Sequence, residues 1–259
     1  MPNDFSREGI LARPEVPERS LVFFDEIDST NNYAKRFVKL GFTDGTAIVA
    51  DHQTAGRGRL GRSFYSPAGT GIYFTLIRSM NTIGANNLLR QTPAAAVAAI
   101  EAIDAVTGVD SQIKWVNDIY VDGKKAAGIL TESIASREGG PFDTVLIGVG
   151  FNCTTREFPE DIKDTAGAIS RLDVDRNQMT AVFWKRLLYW SDHADSPEMI
   201  QKYREKSLVL GRPVSFELGG MLFHGTAEDI DAYGHLNVRL EDGSIRSLDS
   251  GEISLESWK

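Results

Sequence analysis

The 259-residue sequence contains a single cysteine, Cys153, and only four histidines. One cysteine cannot form an internal disulfide, and so few sulfur and imidazole groups argue against a Cys/His structural zinc site. No apolar run approaches the roughly 20 residues that cross a bilayer, and the N-terminus opens with charged residues and prolines instead of a signal-peptide core. These absences predict a soluble, cytoplasmic protein with no structural metal and no membrane partner.

Basic residues are outnumbered by acidic ones, 28 Lys and Arg against 36 Asp and Glu, so the formal net charge is −8. A general nucleic-acid binder needs clustered cationic surface, so the sequence predicts no nucleic-acid partner. One local exception is a glycine-rich segment that carries Arg57, Arg59 and Arg62. A compact positive loop in an acidic protein suits a small anionic ligand better than a polymer.

The pattern of apolar residues divides the chain into three parts. Residues 1–20 are polar, carry three prolines and show no period, which predicts a loosely ordered lead-in. Residues 21–205 read as an α/β domain, with strands predicted near 21–24, 46–51, 71–77, 113–115, 119–121, 126–132 and 144–151. Helices are predicted to begin at Ser29 or Thr30, at Pro93 and near Met179. From 206 to 259, short runs between glycine turns predict a small β-barrel.

The segment Gly56-Arg57-Gly58-Arg59-Leu60-Gly61 satisfies the spacing of a dinucleotide-binding motif, which alone is a weak signal. In a Rossmann unit the last glycine opens a helix, whereas here residues 66–69 lead into a predicted strand. The dinucleotide interpretation therefore fails. Glycines let a loop approach a ligand closely, and arginines donate to carboxylate and phosphate oxygens. The alternative is a solvated surface loop.

Five blocks in this order resemble the motifs of biotin protein ligases: Ser29-Thr30-Asn31, Gln53 with the glycine and arginine segment 56–62, Lys114-Trp115-Val116-Asn117-Asp118, Lys125-Ala126-Ala127-Gly128-Ile129-Leu130, and Gly148-Val149-Gly150-Phe151-Asn152. The resemblance extends to Gly251-Glu252-Ile253-Ser254-Leu255 and covers all but the first twenty residues. The chain departs from the family pattern at Phe64 (usually tryptophan), Val116 (usually proline) and Glu256 (arginine in some members). Without a preceding helix-turn-helix domain it resembles the monofunctional type.

The resemblance implies a fold and an activity. The fold is a mixed β-sheet with helices mainly on one face, related to class II aminoacyl-tRNA synthetases, followed by an SH3-like barrel. The activity is ATP-dependent formation of biotinyl-5'-AMP and transfer of biotin to a lysine of a biotin carboxyl carrier protein. Biotin, ATP and Mg²⁺ are the implied ligands, and a homodimer is implied by family behaviour.

The resemblance also implies site residues. The biotin-binding set is Ser29, Thr30, Asn31, Gln53, Gly56, Arg57, Gly58, Arg59, Lys125 and Gly128. The ATP-binding set is Arg59, Arg62, Phe64, Lys114, Asn117 and Asn152. The catalytic set is Arg57, Arg59, Lys125 and Asp118, where Asp118 either binds Mg²⁺ or accepts a proton from the incoming lysine. The alternatives are helix capping for Ser29, a core aromatic for Phe64, and a turn for Asn117 and Asp118.

Two other functions remain open from the sequence. A lipoate ligase or octanoyltransferase of related fold also acylates a carrier lysine, but the three arginines and the Ser-Thr-Asn block argue against it. A non-catalytic biotin-binding module is the second alternative, and the retained Lys125 argues against that. Because one loop would cover both substrates, residues 56–65 are expected to become ordered when ligand binds. We call these residues the arginine loop.

Overall fold

The computed structural model describes residues 4–135 and 142–255, so the departure at Glu256 lies outside the described residues. The elements of the first part are α1 (Arg7–Leu11), β1 (Leu21–Ile27), α2 (Thr30–Val38), β2 (Ala47–Gln53), β3 (Gly71–Ser79), α3 (Met80–Ile83), α4 (Gln91–Thr107), β4 (Gln112–Lys114), β5 (Asp118–Val121), β6 (Lys124–Ala135), β7 (Phe142–Asn152), α5 (Arg176–Asp192) and α6 (Pro197–Glu205). The remaining elements are β8 (Pro213–Leu218), β9 (Met221–Ile230), β10 (Leu236–Leu240), β11 (Ile245–Leu248) and β12 (Ile253–Leu255).

The first seven strands form one mixed sheet in the order β1-β2-β3-β7-β6-β5-β4. Strands β1 and β2 are parallel, and the other neighbouring pairs are antiparallel. The nearly continuous apolar run of β7 predicts a central strand, and β7 is indeed the fourth of the seven. The predicted hairpin turn between β5 and β6 is also present, with both Asp122 and Gly123 at positive φ.

Helices α4 and α5 pack on one face of this sheet, with α6 against α4, and α2 packs on the other face. Six consecutive residues of α4, Ala94 to Ala99, are fully buried, and five of them are alanines. Small side chains let α4 lie close to both the sheet and α5. On the opposite face, Ala34 of α2 packs with Ile48, Ile77 and Leu146. Because α2 covers only part of that face, the strand ends beside its N-terminus are left for a site.

The lead-in, which composition predicts to be loosely ordered, carries a short helix and two buried apolar side chains, Phe5 and Ile10. Ser6 caps α1 by accepting a hydrogen bond from the backbone N–H of Gly9, and Ile10 is fully buried. Phe5 packs edge-on against Phe23 at 5.2 Å between ring centroids. A five-residue helix has too little sequence period to be recognised, and only its tertiary contacts hold it in place.

The last five strands form a separate antiparallel sheet in the order β11-β10-β9-β8-β12, as the glycine turns after residue 206 predict. This C-terminal sheet is joined to the first part by specific contacts. The indole N–H of Trp115 donates to the carbonyl of Gly234 at 2.9 Å, and the Arg90 guanidinium lies 4.4 Å above the ring of Tyr233. These contacts hold the turn between β9 and β10 against the first part of the chain.

Candidate active site

A cavity of about 110 Å³ lies on the α2 face of the large sheet, between the α2 N-terminus, the arginine loop and β6. Its floor is formed by three glycines of β6 and β7: Gly128, Gly148 and Gly150. A Cβ at Gly148 would lie 2.3 Å from the Asn31 side chain, and one at Gly150 would lie 2.4 Å from the Phe64 ring. The floor therefore has no room for side chains.

The N-terminus of α2 brings short polar groups to one end of the cavity. Ser29 caps the helix by accepting from the backbone N–H of Asn32, and Thr30 and Asn31 are buried at 3% and 4% exposure. The Gln53 amide oxygen accepts from both the backbone N–H and the hydroxyl of Thr30, at 2.9 and 3.1 Å. The capping alternative for Ser29 is thus realised, and the same residue lines the cavity.

The arginine loop is a short hairpin that folds over the cavity. The N–H of Gly58 donates to the carbonyl of Arg62 at 2.8 Å, and the N–H of Phe64 donates to the carbonyl of Gly56 at 2.9 Å. Leu60 stands at the tip, 74% exposed and with φ of 54°. The chain then continues into β3, so the exclusion of a Rossmann helix is confirmed.

The three loop arginines have different partners. Arg57 donates to the Asn32 side-chain oxygen at 3.0 Å and lies 3.5 Å from Glu132. Arg59 donates to the side-chain oxygen of Asn117 at 3.0 Å and to the carbonyl of Gly251 at 3.2 Å.

Arg62 completes the set by pairing with Glu252 at 2.6 Å. Two of the three arginines thus reach the turn before β12, which attaches the loop to the C-terminal sheet.

At the end of the cavity away from Ser29, Lys125 forms an ion pair with Asp118 at 2.6 Å between Nζ and Oδ1. The backbone of Lys125 is held by the segment beside it, because its N–H donates to the carbonyl of Thr165 and its carbonyl accepts from the N–H of Gly167. The Phe64 ring lies between this end and the polar end, above the glycine floor. Phe64 is therefore a cavity residue and not a core aromatic.

Most of the predicted site residues line this one cavity: Ser29, Thr30, Asn31, Gln53, Arg57, Gly58, Arg59, Arg62, Phe64, Asn117, Asp118, Lys125 and Gly128. Three lie outside its lining. A Cβ at Gly56 would lie 2.4 Å from the Phe64 carbonyl, so this glycine allows the hairpin to close. Lys114 is half-buried beside the site, where burial lowers its pKa although Asp118 counteracts this. Asn152 is buried at the end of β7, and its amide nitrogen donates to the carbonyl of Gly167.

Two polar residues behind the cavity belong to no recognisable sequence motif. Glu132 and Thr75 both contact Asn31, at 3.0 and 2.6 Å. The alternation of β6 places Glu132 on the same face as Gly128, which is the signal that could have found it. Cys153 is fully buried, and burial raises the pKa of its thiol to about 12, so it packs as a small neutral side chain.

Residues 23–152 match the model of the Biotin/lipoate A/B protein ligase family, and residues 209–256 match the Biotin protein ligase C terminal domain. The chain belongs to the biotin/lipoate A/B protein ligase family. Its match to the bifunctional ligase/repressor BirA of Bacillus spizizenii has 32% identity over 252 residues, covering 94% of this chain and 76% of the relative.

Other members of the family support the same grouping. A biotin--[acetyl-CoA-carboxylase] ligase of Mycobacterium tuberculosis is 33% identical over 204 residues, 74% of this chain and 73% of the relative. A biotin protein ligase structure from Aquifex aeolicus in complex with biotin and ATP superimposes with a TM-score of 0.77 at 33% identity, covering 92% of this chain and 98% of that one. The expected class II synthetase-like fold is confirmed for this member of the ligase family.

Two features are absent from the described part of this ligase. Over residues 4–135 and 142–255, no helix is long and apolar enough to cross a membrane. In the same ranges, no group of three or more histidine, cysteine, aspartate or glutamate side chains is placed to hold a metal ion.

Proposed function

We propose that this chain is a biotin protein ligase that joins biotin to AMP and then to a lysine of a carrier protein. The observation that carries the proposal is the division of the cavity into two ends. Ser29, Thr30 and Gln53 stand at one end, and Lys125 stands at the other beside Asp118, with Arg59 on the neighbouring Asn117. Arg57 lies over the cavity and contacts Asn32. Biotin has a matching division, with a ureido group at one end and a carboxylate at the other.

The polar end explains a preference for biotin over lipoate. A ureido group carries two N–H donors and a carbonyl acceptor, which can satisfy the buried hydroxyl and amide groups of Ser29, Thr30 and Gln53. The dithiolane ring of lipoate has no N–H and would offer these groups no hydrogen bond. Sites built to hydrogen-bond a polar group reject analogues that lack it. Asn31, Gly58 and Gly128 would complete the biotin pocket.

At the other end the first half-reaction joins the two substrates. A carboxylate oxygen of biotin attacks the α-phosphorus of ATP, a new oxygen–phosphorus bond forms, and pyrophosphate leaves. Arg57 and Arg59 would neutralise the carboxylate and the α-phosphate, so that they can approach each other. The Lys125 ammonium, a mobile point charge, would follow either the carboxyl oxygen or the bridging oxygen as charge shifts onto it.

The ATP side of the proposal uses residues at the rim. Arg62 would contact the phosphates, Phe64 would pack on the adenine, and Lys114 and Asn117 would support the nucleotide. Asn152 would read the adenine edge, since its side-chain oxygen has no hydrogen-bond partner within the described residues although it is buried. A buried acceptor of this kind suits the exocyclic amine of adenine. Mg²⁺ fits Asp118 only together with the ATP phosphates, because it commonly binds one or two carboxylates plus phosphate oxygens.

In the second half-reaction, the amine of a carrier lysine attacks the acyl carbon of biotinyl-5'-AMP, and AMP leaves. The amine must lose a proton, and Asp118 is the carboxylate beside the reacting end of the cavity. We propose a biotin carboxyl carrier protein as partner, a cytoplasmic location, and a homodimer that forms through sheet edges. A nucleic-acid partner is not part of the proposal, given the net charge of −8.

Biotin-dependent exchange of ATP with labelled pyrophosphate tests the first half-reaction. Exchange is expected with biotin and not with lipoate or octanoate at equal concentration. Exchange with lipoate alone would favour the lipoate ligase. Biotin binding by calorimetry without any exchange would favour the non-catalytic module.

A variant of the C-terminal sheet tests the attachment of the arginine loop. Glu252→Gln removes one charge from the ion pair with Arg62, so the amides of residues 56–65 should exchange hydrogen faster. We expect the KM for ATP to rise about twofold to fivefold with little change in biotin affinity, since a half-exposed pair is worth about 1 kcal/mol or less.

Glu228→Gln is the matched control for this variant, because Glu228 forms an exposed ion pair with Arg239 inside the same sheet. It should leave both the exchange of the loop and the KM unchanged. If Glu252→Gln behaves like this control, the pair with Arg62 does not hold the loop.

A further inference from the structure

Behind the polar end of the cavity, a chain of hydrogen bonds leads from Gln53 to a carboxylate. The first link has a fixed direction. Ser66 donates its hydroxyl to the carbonyl of Phe64 at 2.8 Å, so Ser66 must accept from the Gln53 amide nitrogen at 3.0 Å. The Gln53 oxygen therefore faces Thr30, whose hydroxyl lies 3.1 Å away. Since Gln53 Oε1 also accepts from the Thr30 backbone N–H at 2.9 Å, the Thr30 hydroxyl hydrogen is free to turn to another acceptor.

The other end of the chain is fixed by Glu132. An ionised carboxylate only accepts hydrogen bonds, so Asn31 must turn its amide nitrogen toward Glu132, at 3.0 Å. Burial alone would raise the pKa of Glu132, but hydrogen bonds from Lys35 and Asn31 and the nearby Arg57 lower it overall, so it is ionised at neutral pH. The Asn31 oxygen then faces Thr75.

The two ends of this series of hydrogen bonds meet at Thr75. The direction of the Thr75 hydroxyl determines whether Thr30 Oγ1 accepts a hydrogen from it. The Thr75 hydroxyl has one hydrogen and two oxygens in reach, Asn31 Oδ1 at 2.6 Å and Thr30 Oγ1 at 2.9 Å. Since Asn31 presents its oxygen, the hydrogen goes there. Thr30 Oγ1 then receives no hydrogen from Thr75 and instead donates its own across the 2.9 Å separation, so its electron pairs remain available to the cavity it lines.

We infer that Glu132 is a specificity-determining positioning residue, which orients Asn31 and thereby makes Thr30 a hydrogen-bond acceptor for an N–H of the ligand's ureido group. The inference rests on the proposed function, because it assumes that biotin occupies the cavity. Among the described residues, the Glu132 carboxylate pairs with Asn31, Lys35 and Arg57, so it acts through its neighbours.

Glu132→Gln should reverse the direction of the hydrogen bonds between Asn31, Thr75 and Thr30. Lys35 contacts one oxygen of Glu132 at 2.7 Å and Asn31 contacts the other. In the glutamine variant the Lys35 ammonium retains the amide oxygen, which leaves the amide nitrogen facing Asn31. Asn31 then inverts, its nitrogen faces Thr75, and the Thr75 hydrogen passes to Thr30. Thr30 Oγ1 then accepts from Thr75 and donates to Gln53, which leaves it one electron pair for the ligand instead of two.

The test is calorimetric titration of the full chain with biotin and with its two N-methyl ureido derivatives, each lacking one N–H. The wild type is expected to bind biotin and to discriminate against the derivative whose missing N–H faces Thr30. In Glu132→Gln, biotin should bind about tenfold more weakly, while that derivative loses much less. The Kd of that derivative divided by the Kd of biotin is therefore smaller in Glu132→Gln than in the wild type. A steric penalty of the methyl group cancels in this comparison, as in a double-mutant cycle.

Two further variants separate positioning from stability. Lys35→Met removes the ion pair but leaves a carboxylate for Asn31, so it should keep the wild-type ratio. Glu132→Met removes the acceptor without offering a donor, and the ratio should fall less than in Glu132→Gln because the Leu130 carbonyl still lies 3.4 Å from the Asn31 nitrogen. If one variant does not fold, the other still gives the comparison.

The outcomes are distinguishable. A wild type that binds no biotin would overturn the proposed function and this inference with it. A wild type that binds biotin, with the same ratio in the folded Glu132 variants, would overturn the role of Glu132 alone. A ratio that also falls in Lys35→Met would assign the effect to the ion pair and overturn the role of Glu132 in orienting Asn31.

Discussion

Replacing Lys125 with alanine should lower the rate of biotin-dependent adenylate formation by about 10²–10³-fold, while biotin affinity changes far less. The Lys125 ammonium interacts most strongly as negative charge moves onto oxygen in the transition state, and loss of one such preorganised group costs about this factor. Biotin affinity should be largely retained, since the ureido contacts of Ser29, Thr30 and Gln53 lie at the other end of the cavity. Single-turnover formation of biotinyl-5'-AMP measures the chemical step directly.

Lys124→Ala is the matched control for this variant. Lys124 is the neighbouring residue on β6, but its side chain is exposed and donates to the carbonyl of Lys163 at 3.1 Å. It should keep the wild-type rate. If Lys125→Ala retained more than about a third of the wild-type rate, Lys125 would have no direct part in the chemistry.

Replacing Arg176 with methionine should lower the free energy of unfolding by about 3–5 kcal/mol. Arg176 is buried and pairs with Asp51, and the same nitrogen donates to the carbonyl of Gly71 at 2.9 Å. Asp51 also accepts from the N–H of Gly69 at 3.1 Å, and the Arg176 guanidinium lies 4.5 Å from the Phe5 ring. Methionine fills the space but leaves the Asp51 carboxylate buried without its cation, which is where the large cost arises.

Urea unfolding at neutral pH measures this loss, and Arg13→Met is the control. Arg13 pairs with Asp175, one residue before Arg176, but both side chains are partly exposed, at 34% and 45%. Such a pair contributes about 0–1 kcal/mol. An Arg176→Met variant that loses no more than the Arg13 variant would show that the Asp51 carboxylate is solvated or neutral in the folded chain.

Much of the fold follows from local patterns in the sequence. Strand β7 is recognisable because a strand buried on both faces needs an almost unbroken apolar run. Helix α4 is recognisable because its alanines form a continuous buried surface. Helix α6 is not predicted from the pattern of apolar residues, although Ser196 caps it and Pro197 stands at its first position. Its N-terminal signals were present, but its few apolar residues, Met199, Ile200 and Tyr203, gave little period.

The site was predictable where a motif carries the chemistry, and not where only packing does. The Ser-Thr-Asn block and the arginine loop resemble family motifs, and these residues line one cavity. Glu132 and Thr75 stand in strands separated by more than fifty residues of sequence, so only the register of the sheet brings both to Asn31. Hydrogen-bond direction depends on all members of such a chain together, and no single position reveals it.

The most direct test of the central claim is intact-mass spectrometry of a biotin carboxyl carrier domain incubated with this protein, biotin and Mg-ATP. The account predicts that the carrier gains the mass of one biotinyl group on a single lysine, that the gain requires ATP, and that Lys125→Ala abolishes it over the same time. A carrier that stays unmodified with wild-type protein, or that gains a lipoyl group instead when both acids are supplied, would contradict the account.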